Sequence, residues 1–228
     1  MRKKIIKQYF GMLTPAQIAT GMNAAARNAK LLYDDASTLL EAGRYPTACS
    51  IATLSIEESG KLAILRRLST VRDEKRAKEI WREYRDHQSK NLMWIVPDLA
   101  MKGARTIEDL RIIVDPKSDH RSVLDTVKQL GFYTDCCGDT AHWSEPTSVV
   151  EEELARSILF AAKALLRKTP VDVREVELWI EHMGPTPDGE DSFEAIVAFY
   201  QAMQEEGIGD IIADDMARFL GKHKQSVS

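Results

Sequence analysis

Residues 45–56 carry no charge, and then Glu57, Glu58 and Lys61 arrive together around Gly60. The run, YPTACSIATLSI, makes about three turns of a helix buried on most of its sides. Its charged continuation must be paired or hydrogen-bonded, because an unpaired charge in an apolar setting is costly. Such a cluster is either an internal clamp or the floor of a functional site. A helix with so little polar surface has to sit inside a bundle of other helices.

The flanking pattern predicts that bundle. Pro15 behind Thr14, a good N-cap, opens a helix whose apolar positions run through Ile18, Met22, Ala25, Ala29, Leu32, Ala36 and Leu40. Gly43 ends it, and the short joint at residues 43–44 predicts an antiparallel hairpin with a second helix from Tyr45 and Pro46 to about Leu68. Gly60 inside that helix costs about 1 kcal/mol relative to alanine, which points to close approach of a neighbouring helix. A third helix is predicted from a cap at Asp73 to Val96, where Pro97 stops or kinks it, with a short continuation to Met101. Its inward stripe is Ala77, Ile80, Trp81, Tyr84, His87, Asn91 and Trp94.

Residues 104–120 read as loop or weak helix, and residues 122–130 as a short helix closed by Gly131. In the segment GFYTDCCGDTAHWSEP, Phe132, Tyr133 and Trp143 are expected to fold onto the body. Ser148 and Glu151 have the spacing of a capping box opening a long helix to about Lys168. Residues 171–183 form another, GPTPDGED reads as a linker, and two acidic amphipathic helices are predicted at 192–206 and 209–222. No strand-like alternation of useful length appears. The fold class is all-α.

Composition narrows the function classes. The 228 residues suffice for a compact domain with a small appendage, and no run approaches the roughly 18 apolar residues of a membrane span. The basic start MRKKIIKQYFGM lacks an apolar signal core, so a cytoplasmic location and no membrane contact are expected. Cys49, Cys136 and Cys137 form no CxxC pair, and the vicinal pair with His142 makes a poor tetrahedral site, so no metal or other cofactor is expected. The net charge of −4 argues against a dedicated nucleic-acid binder. It is unevenly spread: residues 1–90 hold 17 Lys and Arg against 10 Asp and Glu, the remainder 14 against 25. That permits contact with a polyanion on one side, although solvated helix faces account for it equally well.

The candidate chemistry sits in two segments. Glu57 and Glu58 lie four and three residues before Lys61, so both reach it on a helix surface, as in an ordinary ion pair. His87 lies on the inward stripe with Lys90 three residues on; it is either a satisfied core histidine or a proton-transfer group. Arg82 and His87 fit R-x4-H, a spacing that Arg218 and His223 share. On an unbroken helix these side chains point about 140° apart, so they share a phosphate only if the helix is distorted or a second subunit supplies one. Signatures of nucleotide-binding P-loops, serine hydrolases, zinc proteases and paired E-x-x-H di-iron sites are absent.

Taken together, NAKLLYDDASTLLEAGRYPTA, LSIEESGK, RDHQSK and GFYTDCCGD followed by WSEP resemble the AbiV family of abortive-infection proteins, a branch of the HEPN superfamily of helical bundles. The resemblance covers about residues 20–168 and implies a HEPN-like antiparallel bundle over 1–170 with a C-terminal helical extension over 171–228. It further implies an anti-phage effector that halts growth or translation, acting as a homodimer and as a metal-independent ribonuclease or a toxin that binds RNA or nucleotide. On that reading His87 is the acid/base and Arg82 the phosphate ligand, with Glu57, Glu58, Lys61 and Lys90 lining the cleft. Glu83 follows Arg82, where the ribonucleases of the superfamily usually carry an uncharged polar residue. The alternative is a non-catalytic helical module that binds a phage or translation-related protein through its acidic C-terminal half.

Overall fold

The computed structural model describes residues 7–104, 108–113, 115, 118–137, 139–185 and 191–209. The fold is all-α, with one two-stranded ribbon as its minor sheet. Helix α1 (Pro15–Glu41) starts on a full capping box, Thr14 and Gln17 each bonding the other's backbone. Gly43, at φ 70°, takes the left-handed turn that α2 (Tyr45–Ser69) needs to fold back along α1.

Helix α2 is the axis of the molecule. It packs against α1, α3 (Glu74–Arg85), α4 (His87–Lys90), α6 (His120–Phe132), α7 (Pro146–Val149), α8 (Glu152–Leu165) and α9 (Val173–Met183). Its small side chains make this possible: Ala48, Cys49, Ser50, Ala52, Thr53 and Ser55 are all buried. Their hydroxyls are satisfied locally or across helices, Ser55 donating to the Ala29 carbonyl at 2.7 Å and Ser50 to that of Lys128 at 3.0 Å. One core, around Ile56, Leu124 and Ile158, fills one end of the bundle. A second, around Met22, Leu65, Ile80 and Trp81, includes Val171 and Val176. Asn23 ties Val171 down with two backbone hydrogen bonds of 2.7 and 2.8 Å, so α9 packs directly on the bundle. Helix α10 (Asp191–Glu205) meets α9 through Leu178, Phe199 and Met203.

Five expectations need correction. The third helix does not run on to Val96: it stops at Arg85, where Asp86 turns extended (φ −79°, ψ 131°) and caps the four-residue α4 by accepting from the Ser89 amide at 2.7 Å. Residues 91–95 then turn into α5 (Val96–Met101). Strands β1 (Asp135–Cys137) and β2 (His142–Ser144) pair antiparallel where no strand was predicted. Tyr133 (62% exposed), at the end of α6 before the ribbon, and Trp143 (69%), in β2, stay exposed and do not fold onto the body.

Another correction concerns the capping box at Ser148 and Glu151, which does not form. Ser148 lies inside α7 and donates to the Glu145 carbonyl, Val150 is buried in extended backbone, and Glu151 precedes α8 without a side-chain cap. Gly131 does not close α6 either; a Cβ there would collide with Ser50 and the Pro46 carbonyl, so it marks where α6 presses on α2. A short 3-10 helix (Glu108–Ile113) occupies part of the 104–120 segment. The last predicted helix, from 209 on, and most of the GPTPDGED linker lie outside the described residues.

Candidate functional site

The charged end of α2 divides between two partnerships. Glu58 and Lys61 pair with each other at 2.5 Å, each about 18% exposed, and the Lys61 ammonium lies 5.2 Å from the centre of the Tyr84 ring. Glu57 turns inward. It is 3% exposed, and three basic side chains converge on its carboxylate. Lys128 donates to Oε1 at 2.7 Å, His87 Nδ1 lies 2.7 Å from Oε2, and the Lys90 ammonium is 3.2 Å from the same oxygen. Lys90 and Lys128 are 7% and 5% exposed, whereas the His87 side chain is 55% exposed.

Local sequence explains each placement. Glu57 follows the apolar run directly, on the face turned toward α4 and α6. A Cβ at Gly60 would collide with the Lys90 carbonyl, so only glycine lets the backbone of α4 rest on α2. The break at Asp86 restarts the chain just before His87, which is how an exposed imidazole can still direct one nitrogen at a buried acid. Lys128 arrives from α6, seated by Gly131 three residues on.

Burial alone would push the Glu57 carboxyl up; the hydrogen bonds from Lys128 and His87 and the charges of Lys90 and Lys128 outweigh it and hold it below its usual range. For Lys128 burial opposes the charged form, and Asp125 and Glu57 together more than restore it, so its pKa is raised. The Asp125 carboxylate lies 2.8 Å from the Lys128 ammonium and, with Glu57, favours its charged form.

The Lys128 ammonium is also 3.3 Å from His87 Nδ1. It already has Glu57 and Asp125 as acceptors, so we assign the shorter contact to Nδ1–H donating to Glu57. That tautomer leaves Nε2 with its lone pair, and Nε2 bonds no other described residue. A carboxylate that fixes the tautomer and stabilises the imidazolium is the arrangement a general base requires. Among the described residues, no group of three His, Cys, Asp or Glu side chains is placed to hold a metal.

Of the sequence candidates, Glu57, His87 and Lys90 come together, Glu58 and Lys61 form a neighbouring pair, and Arg82 stays apart. Arg82 is exposed on α3, on the far side of the Asp86 break, and its side chain bonds no other described residue. Glu83, the acid beside it, is held by Arg67 at 2.7 Å. Lys128 and Asp125 went unpredicted. The available signal was a lysine on the apolar stripe of α6, four residues after Leu124 and three before Gly131.

An all-α bundle packed around one central helix fits a HEPN-type domain. The HEPN family model described as AbiV matches residues 17–167, and the chain belongs to that family. Membership implies a role in abortive infection, a form of defence against phage. No curated protein and no solved structure gives a match. No helix among the described residues is long and apolar enough to cross a membrane.

Proposed function

We propose that this protein is an abortive-infection effector that cleaves RNA without a metal, with His87 as the general base. The observation that carries the reading is the exposed imidazole whose Nδ1 is held at 2.7 Å by the buried Glu57. Nε2 takes the proton of a ribose 2′-OH, the freed oxygen attacks the adjacent phosphorus, and the bond to the 5′ oxygen breaks. The products are a 2′,3′-cyclic phosphate and a 5′-hydroxyl, the latter protonated by an imidazolium.

Charge developing on the phosphoryl oxygens calls for a cation. Lys90 and Lys128 are committed to Glu57, so Arg82 of a second copy in a homodimer is the group assigned to it. Purified protein incubated with total RNA in the presence of a chelator is expected to yield cyclic-phosphate ends. His87→Ala and Arg82→Ala should each abolish them, and mixing the two variants should restore part of the activity. Cleavage that survives His87→Ala would sink the mechanism.

The exposure of Tyr133 beside the ribbon and of Trp143 on it favours a second reading, a module that holds a phage or translation-related protein through aromatic anchors. In that case Trp143→Ala abolishes protection from phage in cells while His87→Ala leaves it intact.

A further inference from the structure

Lys90 has a second side. Opposite Glu57 it lines a cleft of about 320 Å³ between α1, α2, the turn after α4 and the end of α8. Met22 and Ile56 form an apolar floor, and Met93, Trp94 and Leu165 form walls. Arg66 and Arg167 close the other end.

These guanidinium groups are only partly used. Arg66 spends one nitrogen on Glu175, at 2.5 Å. Arg167 spends one on Glu175 at 2.6 Å and one on the Thr169 carbonyl at 2.7 Å. The remaining N–H groups of Arg66 and one terminal nitrogen of Arg167 find no acceptor among the described residues. Ser59, also lining the cleft, has a buried hydroxyl with no partner. A buried polar group left unpaired in a native fold calls for an explanation, and here the surplus is of donors. Charge runs the same way: among the described residues, Lys90, Lys128, Arg66 and Arg167 pair with Glu57, Asp125 and Glu175.

We propose that this cleft is a binding site for a small organic anion, a carboxylate or phosphate monoester on an apolar body of about eight carbons. The apolar body lies over Met22 and Ile56 against Trp94. The headgroup accepts from the free arms of Arg66 and Arg167, whose planar forks suit two oxygens at once. Volume fits: cavities of roughly 300 Å³ and above hold small ligands. His87 does not line this cleft, so the anion would sit apart from the proposed base, with Lys90 between them.

The test uses the full chain in isothermal titration with octanoate, octyl phosphate, octanol and octylamine. At least one of the two anions is expected to bind tenfold or more tightly than octanol, with octylamine weaker still. Met93→Trp, a change at a 37% exposed wall residue, should fill the cleft and remove that binding without unfolding the protein. Arg167→Met, checked for folding by circular dichroism, should weaken the anions at least tenfold and leave octanol unchanged. Octanol binding as tightly as both anions, or anion binding that survives Met93→Trp, overturns the proposal.

Discussion

Two buried carboxylates hold this bundle together, and they differ in what surrounds them. Glu175 is 1% exposed and is gripped by Arg66 and Arg167, whose side chains keep 23% and 20% exposure. Both partners are guanidinium groups, which do not titrate in the working range, and Arg66 also lies over Trp179 at 5.0 Å. That assembly clamps α2 to α9 and moves no proton. Glu57 is as buried, but its partners are two lysines in the core and one histidine in the open. The same physical requirement, a paired buried charge, is met at one site by groups locked in one state and at the other by a group able to change state. Reactivity belongs where a titratable group bridges core and solvent.

The comparison predicts unequal costs. Glu57→Gln leaves two ammonium groups nearly sealed from water, so it should destabilise by about 4 kcal/mol, as broken buried pairs do. Glu175→Gln should cost less, about 2 kcal/mol, because both arginines retain a path to solvent. Urea unfolding of the two variants checks this, and equal losses would erase the distinction. Gly60→Ala comes next. The added methyl meets the Lys90 carbonyl, a backbone atom that can yield only by moving α4, at about 2 kcal/mol. That variant should also slow any His87-dependent reaction, since α4 carries His87. Normal stability in Gly60→Ala would mean that α4 is not seated by this contact.

How much of this could be read in the chain follows from which interactions are local. The α1–α2 hairpin, the central role of α2 and the close approach at Gly60 were legible, because caps, a left-handed glycine and an uncharged run are written in consecutive residues. The Asp86 break was not, because the periodicity of α3 continues smoothly into α4, and only the Asp86–Ser89 cap betrays the stop. Glu57 was assigned to Lys61 by helical spacing, but its partners come from 30 to 71 positions away. The aromatic segment 131–146 misled for a different reason: large side chains are usually buried, yet a three-residue ribbon has no inner face to cover them.

Smaller effects should appear in the pH dependence of stability. Glu57 has its pKa lowered on folding, so its contribution is present above the ordinary value of 4.5 and fades as pH falls through the folded value. Lys128 has its pKa raised, so its contribution is present below 10.5 and fades as pH climbs through the folded value. Between these limits the cluster contributes fully. Glu57→Gln should therefore flatten the acid limb of a stability profile measured by urea midpoint from pH 3 to 7. An acid limb unchanged in that variant would place the titrating carboxylates elsewhere.

The smallest expected change in stability falls on the residue assigned the largest effect on activity. His87 keeps more than half its side chain in water and contributes one of three contacts to Glu57, while Lys90 and Lys128 stay in place without it. His87→Gln should shift stability by no more than about 0.5 kcal/mol, within the range of ordinary surface changes. RNA cleavage should nevertheless disappear, because glutamine holds an amide where the base was. If instead His87→Gln costs as much as Glu57→Gln, the imidazole is part of the clamp, and the two buried acids are the same kind of device.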